Sequence, residues 1–298
     1  MKLLIVGGSG FIGQNLCKHF VKNNIKIDVL TRSLNNKKSP DNLVNFINEL
    51  NPAGSDYDVI INLSGEPLNK NRWNDKVKQN IYNSRIQTTQ KLINFIANSP
   101  IKPKLLISGS AIGFYGNHPT QIFTEESQAA DDGFTHKLCN DWEGIAKQAA
   151  QYCVRVCLIR TGIVLGSEGV ALKEMLPPFK LGLGSCLGNG AQWMSWIHID
   201  DVVGAIEFLI KNEQLNGAFN LTSPGAVTNQ IFSKGLAASL NRPCFFSMPN
   251  FMVKMMFGEM GEILLLQGQN VVPDKLLKAG YEFKFPNLSD ALKNILKK

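Results

Sequence analysis

The chain has 298 residues, of which 44% are hydrophobic, a composition typical of globular proteins and outside the range of disordered or collagen-like chains. Its length predicts about two lobes, or one large α/β unit with an appendage. The net charge of +7 divides into +4 over residues 1–150 and +3 over 151–298, so the positive charge is not concentrated in one block. Nucleic-acid-binding proteins more often concentrate it, and the sequence therefore does not favour that class. The even spread is compatible with an anionic small ligand.

Apolar runs and cysteines narrow the class further. No uncharged apolar run reaches 18 residues, which predicts no transmembrane helix and no membrane partner. The apolar run Leu3–Val6 is too short for a signal-peptide core. The six cysteines form no CxxC pair and show no metal-ligand spacing. We therefore expect free thiols, no structural metal and a cytoplasmic location.

The first part of the chain alternates strand and helix patterns. Short apolar runs predict strands at 2–6, 26–31, 58–63, 104–107 and 154–160. Apolar residues at helical spacing predict helices at 11–20, 75–97 and 138–150. Alternation of this kind predicts an α/β fold, with a Rossmann-type, doubly wound parallel sheet over residues 1–165.

The pattern changes after residue 165. Residues 166–195 are rich in glycine and proline, which predicts a loop or a lobe-crossing segment. A strand is expected at 195–199, followed by a helix over 201–211 with an acidic cap. The methionine-rich stretch 252–260 has helical spacing, which favours core packing. Residues 166–298 are therefore predicted to form a smaller C-terminal α/β lobe that holds the substrate.

The sharpest motif is the glycine-rich sequence GGSGFIG at 7–13. It follows a strand and opens a helix, the context that a dinucleotide-binding fingerprint requires. Gly7 allows the tight turn, Gly10 lets the backbone approach a pyrophosphate, and Gly13 lets helix and strand pack closely. The backbone N–H groups from Phe11 and Ile12 onwards then face the phosphates at the helix N-terminus. The alternative is a glycine-rich turn without a ligand.

The end of the second predicted strand bears on the choice of cofactor. An NAD site places an acid there for the ribose 2′-hydroxyl, whereas an arginine suits the 2′-phosphate of NADP. Thr31 occupies the acidic position and Arg32 follows it. Because a guanidinium can grip a phosphate, the sequence favours NADP(H) over NAD(H). The alternative is a surface arginine at a loop start.

The motifs together resemble an extended short-chain dehydrogenase/reductase, and more narrowly the YfcH-like atypical epimerase family. The matching segments are GGSGFIG (7–13), VLTRS (29–33), INLSGEPL (61–68), SGSAIGFYG (108–116), RTGIVLG (160–166), MLPPFKLGLG (175–184), GNGAQWMSWIHIDD (188–201) and GEILLLQGQNVVP (261–273). The resemblance implies NAD(P) binding and a family-specific C-terminal domain at about 247–296. It also implies that Leu63, Ser64 and Gly65 line the cofactor and that Ser110 is the active-site serine.

Two departures from this family pattern concern catalysis and substrate. Active short-chain dehydrogenases place a tyrosine four residues before a lysine, and Thr135 and Cys139 stand at those places here. Neither can replace the proton donor or the cation. Tyr115 is the only nearby phenol, so Ser110 and Tyr115 are the catalytic candidates. Met194 stands where nucleotide-sugar epimerases hold a diphosphate with arginine.

Several polar and aromatic residues keep two interpretations. Trp193 and Trp196 either pack the lobes or stack on a ligand. Arg85 either points into a site and meets an acid, or lies at the flank of its helix while Ser84 occupies the inward face. Arg160 lies at the end of a buried strand. It is either a residue of the site or a structural ion-pair partner.

Two function hypotheses follow. The first is an NADP(H)-dependent oxidoreductase or epimerase-like enzyme that acts on an unidentified small molecule. The second is a non-catalytic, NADP(H)-responsive binding or regulatory protein, which the missing tyrosine and lysine favour. A homodimer is compatible with either.

Overall fold

A seven-stranded parallel sheet forms the centre of the molecule in the computed structural model, which describes residues 1–32, 34 and 41–297. The sheet strands, numbered in chain order, are β1 (Lys2–Val6), β2 (Lys26–Leu30), β3 (Val44–Ile47), β4 (Val59–Asn62), β5 (Leu105–Ala111), β6 (Arg155–Thr161) and β7 (Gly217–Leu221). Their spatial order is β3-β2-β1-β4-β5-β6-β7, with parallel pairing throughout. The predicted doubly wound parallel sheet is confirmed.

Helices cover both faces of this sheet. The helices are α1 (Phe11–Lys22), α2 (Asp75–Asn98), α3 (Phe134–Lys147), α4 (Val170–Lys180), α5 (Ile199–Lys211), α6 (Asn229–Ser239), α7 (Asn250–Gly261), α8 (Asp274–Lys278) and α9 (Leu288–Leu296). Leu3 and Ile5 of β1 point to the face covered by α1 and α5, and Leu4 and Val6 point to the face covered by α2 and α3. Both faces are buried, which is why the strands are continuous apolar runs.

Two boundaries differ from the sequence prediction in ways that affect the site. Strand β5 extends to Ala111 instead of ending at Ile107, so Ser110 lies within a sheet strand. Helix α3 begins at Phe134 instead of residue 138. Small and polar residues in the SGSA sequence conceal the end of β5, because they do not continue its apolar run.

The predicted loop over 166–195 is wrong in part, because it contains helix α4. Leu172 and Phe179 are buried on one face of this helix, and that apolar spacing outweighs Pro177 and Pro178 in its last turn. The segment also contains a short strand, Ser185–Leu187, paired with Phe246–Met248.

The boundary expected between the two lobes at residue 165 does not separate the central sheet from the C-terminal elements. Strand β7 joins the edge of the central sheet beside β6, and α5 packs on the same face as α1. The remaining C-terminal residues form a smaller layer in which α4, α6 and α9 enclose their own core. Further short strands are Ile122–Phe123, Ile163–Leu165, Trp193–Met194, Trp196–His198, Val227–Thr228 and Asn270–Val271.

The methionine-rich helix α7 forms as predicted, but its expected role in core packing is wrong for most of its methionines. Met255 is 66% exposed and Met256 is 49% exposed, whereas Val253 and Met260 are buried. Within the described residues, no helix is both long and apolar enough to cross a membrane.

Candidate functional site

A groove opens at the carboxyl edge of the sheet, between β1 and β4. The strand order reverses at this point, which is where doubly wound folds bind their ligands. Val6 and Asn62 are paired partners at the two strand ends, so the segments that follow them emerge side by side. The groove has a volume of about 1380 Å³. Its walls include Gly7, Gly10, residues 30–32 and residues 63–66.

The glycine-rich turn lies at the floor of this groove. Gly7 has φ +83°, and a Cβ atom there would lie 2.7 Å from the Leu63 carbonyl oxygen. A Cβ atom on Gly13 would lie 2.5 Å from the Cα atom of Gly8. Both positions therefore require glycine. Gly7 allows the turn and its close approach to the segment after β4, and Gly13 allows close packing of the helix.

The N-terminus of α1 faces the groove without a side-chain cap. Gly10 is the N-cap residue, and it supplies no side-chain hydrogen bond to the helix. The backbone N–H groups of Phe11, Ile12 and Gly13 follow in the first turn, where helical N–H groups lack intrahelical partners. This end of the helix can hold an anion.

Arg32 lies just past the end of β2, as expected. Its side chain is 94% exposed and donates a hydrogen bond to Glu66 Oε1 over 2.9 Å. Thr31 donates its backbone N–H to the Ile47 carbonyl oxygen. Ser33, the last residue of the VLTRS segment, lies outside the described residues. The arginine and a carboxylate from the β4 loop therefore meet at one wall of the groove.

The loop after β4 carries Leu63, Ser64 and Gly65. The Ser64 hydroxyl donates to Asn62 Oδ1 over 2.6 Å, which fixes the loop to the end of its own strand. The Glu66 N–H donates to the Ser84 hydroxyl, which fixes the loop to α2. All three predicted cofactor-lining residues border the groove.

Ser110 belongs to a buried polar network at the end of β5. It is 6% exposed, and its Oγ atom donates to Glu143 Oε1 over 2.7 Å. Arg160 donates to both carboxylate oxygens of Glu143, from Nε over 2.8 Å and from Nη2 over 2.9 Å. Although burial disfavours the charged guanidinium, these bonds raise the pKa of Arg160 above its ordinary value. The structure thus gives Arg160 the ion-pair role among its two interpretations.

Tyr115 is part of the same network and has no exposed surface. Its hydroxyl donates to Asn220 Oδ1 over 2.7 Å and accepts from Arg160 Nη1 over 3.0 Å. Burial raises its pKa to about 12, against the opposing effect of Arg160. The two catalytic candidates are therefore joined through Arg160 and Glu143.

The register of the missing tyrosine and lysine contains Thr135 and Cys139 on α3. Cys139 is buried, and burial together with the Glu143 carboxylate raises the pKa of its thiol to about 11. His136 lies beside them, with Nδ1 against the Phe114 carbonyl oxygen. Neither Thr135 nor Cys139 therefore supplies a cation in the place of the lysine.

Arg85 points inward from α2, and Ser84 also contributes through its bond to the β4 loop, so each interpretation holds in part. The guanidinium packs against Gly65, where a Cβ atom would lie 2.7 Å from Cζ. It also lies 5.4 Å from the Trp142 ring centroid. The expected acid is not found, because no carboxylate lies within ion-pair distance among the residues that the structure describes.

Other residues singled out in the sequence have structural contacts. Trp196 is fully buried and Met194 is buried beside Asn229, which favours the packing interpretation for Trp196. His198 caps α5 by accepting the Asp200 N–H, so the cap is not the acidic residue that was expected. Across the described residues, no cluster of three potential metal ligands is found.

Sequence reasoning missed Glu143, Asn220 and Glu66. Glu143 follows a tryptophan on α3, and only its burial and its bonds to Ser110 and Arg160 reveal its role. Asn220 lies on β7, a strand that the sequence did not predict. Glu66 follows Gly65, but its contact with Arg32 depends on sheet order.

The fold and the groove define an α/β protein of the Rossmann type. A family model described as NAD dependent epimerase/dehydratase family matches residues 3–222, and a second, described as domain of unknown function (DUF1731), matches residues 248–295. The chain belongs to the NAD dependent epimerase/dehydratase family. The resemblance to atypical short-chain dehydrogenases is confirmed.

Several similar proteins align with nearly the whole length of this chain. The chain is 36% identical to "Epimerase family protein SDR39U1 homolog, chloroplastic" of Arabidopsis thaliana, over 99% of this chain and 87% of that protein. It is 36% identical to "Epimerase family protein SH2119" of Staphylococcus haemolyticus (strain JCSC1435), over 99% of both. The crystal structure of human epimerase family protein SDR39U1 (isoform 2) with NADPH superposes with a TM-score of 0.91 at 32% identity, covering 99% of each chain.

Proposed function

We propose that this protein is an NADP(H)-dependent oxidoreductase or epimerase-like enzyme that acts on a small molecule. The observation that carries the proposal is the groove at the sheet's switch point, where the uncapped N-terminus of α1 and Arg32 border one cavity. The human relative whose structure contains NADPH supports the same cofactor class.

The groove residues match the parts of a dinucleotide. The N–H groups of Phe11, Ile12 and Gly13 would hold the pyrophosphate, since they lie at an uncapped helix N-terminus. Thr31 and Arg32 would face the adenosine ribose and its 2′-phosphate. Residues 63–65 would line the path toward the nicotinamide. NADP(H) supplies or accepts the hydride when bound.

The chain's own contribution centres on Ser110. Its hydroxyl is oriented by Glu143, which is itself held by two hydrogen bonds from Arg160. A hydroxyl fixed in this way can accept a hydrogen bond from a substrate hydroxyl group or from water, because its proton points to the carboxylate and its lone pairs face away from it. Tyr115 braces Arg160 from the other side. Because the Tyr115 hydroxyl is fully buried, we assign proton exchange to a water molecule beside Ser110.

The proposal is tested by single-turnover oxidation of NADPH in the presence of a panel of carbonyl compounds. Ser110→Ala is expected to slow the reaction by roughly 10²–10⁴-fold, the usual range for lost acid–base catalysis, because the water that exchanges the proton loses the hydroxyl that holds it. Tyr115→Phe is expected to slow it less, since it loosens Arg160 without touching substrate. His136→Ala is the matched control. If His136→Ala alone abolishes turnover, the assignment is wrong, and if all three variants keep full activity, this is not the catalytic cleft.

A non-catalytic, NADP(H)-responsive binding protein is the second candidate. It is favoured by the absence of the tyrosine and lysine and by the Glu143 carboxylate, which engages the Ser110 proton. The same experiment separates the two functions. A binding protein would retain NADPH without oxidising it in the presence of any carbonyl compound, and Ser110→Ala would then change nothing.

A further inference from the structure

Arg85 places a half-buried positive charge beside the β4 loop, with no ion-pair partner among the residues that the structure describes. The guanidinium lies between Gly65 on the β4 loop and Trp142 on α3. Burial lowers the pKa of Arg85 from its ordinary value, which is the effect expected of a desolvated cation without an ion-pair partner. Such a charge is costly unless something compensates it.

Glu66 on the β4 loop and Glu143 on α3 each form an ion pair with a cation other than Arg85. Glu66 is bound by Arg32 at 2.9 Å and lies 3.9 Å from Lys70. Glu143 is bound on both oxygens by Arg160. The Cys139 thiol, the other group whose charge Arg85 would stabilise, is neutral near pH 7 because its pKa is about 11. Within the described chain, Arg85 therefore has no ion-pair partner, although the Glu66 carboxylate favours its charged form from beyond ion-pair distance.

One edge of the guanidinium remains available for a ligand. Nη1 donates to the Ile81 carbonyl oxygen over 3.0 Å, the single hydrogen bond of this side chain among the described residues. Nε and Nη2 have no such partner, yet they are not among the fully buried, unsatisfied atoms, so they retain contact with solvent. The Nε–Nη2 edge is the one that pairs with both oxygens of a carboxylate.

The position of Arg85 relates this edge to the reaction centre. Gly65, which the guanidinium covers, follows the loop that touches Gly7. Cys139 and Trp142 lie on the turns of α3 next to Glu143, the partner of Ser110. The guanidinium thus packs between the β4 loop and the helix that carries Glu143, the hydrogen-bond partner of Ser110.

We infer that Arg85 binds the carboxylate group of the substrate, so that the enzyme acts on an anionic, carboxylate-bearing molecule. The inference rests on the proposed function, because it places the substrate beside Ser110. A neutral ribose hydroxyl would not compensate the charge, and the pyrophosphate belongs at the N-terminus of α1. The ligand that matches a desolvated bidentate cation here is a carboxylate of the substrate.

The test uses acetate as the probe and acetamide as its neutral isostere. Saturation-transfer difference NMR measures their binding to the full-length protein, with and without NADPH. We expect acetate but not acetamide to bind the wild-type protein, and Arg85→Met to weaken acetate binding by about ten- to a hundredfold, the range for a charge-assisted contact. Arg85→Lys should retain part of the affinity. Lys76→Met is the matched control, since it removes a positive charge from the exposed face of the same helix.

Separate measurements distinguish a binding role from other roles. NADPH affinity and melting temperature are measured for every variant. We expect both to stay close to wild type in Arg85→Met, because the apolar chain replaces a half-buried charge that has no ion-pair partner to lose. Equal acetate binding by wild type and Arg85→Met, or no acetate binding by wild type, overturns the inference. A loss confined to NADPH affinity reassigns Arg85 to the cofactor, and a large fall in melting temperature makes it structural. Failure of the wild type to bind NADPH refutes the proposed function instead.

Discussion

At the scale of single residues, the proposed selectivity for NADP(H) depends on Arg32 and Glu66. The sequence predicts that Arg32 meets the 2′-phosphate, and the structure adds a carboxylate at 2.9 Å from its guanidinium. An exposed ion pair contributes only about 0–1 kcal/mol, so a phosphate dianion can displace Glu66 from Arg32. Glu66 would then oppose the phosphate by charge repulsion.

Substitutions at these two residues should shift NADPH affinity in opposite directions. Arg32→Ala should weaken NADPH binding by about ten- to a hundredfold and leave NADH binding nearly unchanged, because only NADPH loses a charge-assisted phosphate contact. Glu66→Gln should tighten NADPH binding, since the repelling carboxylate is removed. Isothermal titration calorimetry of the wild type and both variants with NADPH and NADH measures the six dissociation constants. Equal affinities of the wild type for the two cofactors would contradict this selectivity.

The residues of the site divide into those that the sequence predicted and those that it could not. Gly7, Gly13 and Arg32 follow from local pattern, because a turn, a helix start and a strand end each have a sequence signature. The partners Glu143 and Asn220 come from other elements, 33 and 105 positions from Ser110 and Tyr115 respectively. Contacts between residues so far apart in the sequence depend on strand order and register, and a local sequence pattern does not reveal either.

At the scale of elements, the turn between β1 and α1 determines whether the groove can accept a pyrophosphate. Its two later glycines differ in what surrounds them. A Cβ atom on Gly10 meets only the Gly7 carbonyl oxygen, at 3.3 Å, and the position borders the groove. A Cβ atom on Gly13 meets three backbone atoms between 2.5 and 2.8 Å.

The two glycines are therefore expected to fail in different ways. Gly10→Val should abolish NADPH binding with a modest change in stability, because its branched side chain occupies the path of the pyrophosphate. Gly13→Ala should lower stability by about 1–3 kcal/mol or more, through overpacking of helix against strand. Thermal unfolding followed by circular dichroism, beside a binding assay, separates the two effects. A folded Gly10→Val variant with normal NADPH affinity would refute the assignment of the phosphate site.

Elements were predicted well where apolar periodicity is strong and poorly where it is diluted. The strands β1, β2 and β4 lie within a residue of their predicted ends, since buried parallel strands are continuous apolar runs. Helix α4 was missed because two prolines and the glycines that follow it suggested a loop. Strand β7 was missed because GAFNL is short and its partner β6 lies about 60 positions away.

At the scale of the whole molecule, the central sheet brings the separate motifs to one edge. The turn after β1, Arg32 after β2, the loop after β4 and Ser110 at the end of β5 all emerge there because the strands are parallel. The C-terminal segment returns through β7 and α5 and thereby supplies Asn220 to the network around Tyr115. The site consequently depends on both halves of the chain.

The most direct test of this account is a crystal structure of the protein with NADPH. We predict the pyrophosphate at the N–H groups of Phe11, Ile12 and Gly13, the 2′-phosphate on Arg32 in place of Glu66, and the nicotinamide directed toward Ser110. This arrangement follows from the switch point between β1 and β4 and from the uncapped N-terminus of α1, the helix that follows β1. A structure with NADPH bound away from this groove, or with the nicotinamide directed away from Ser110, would contradict the account.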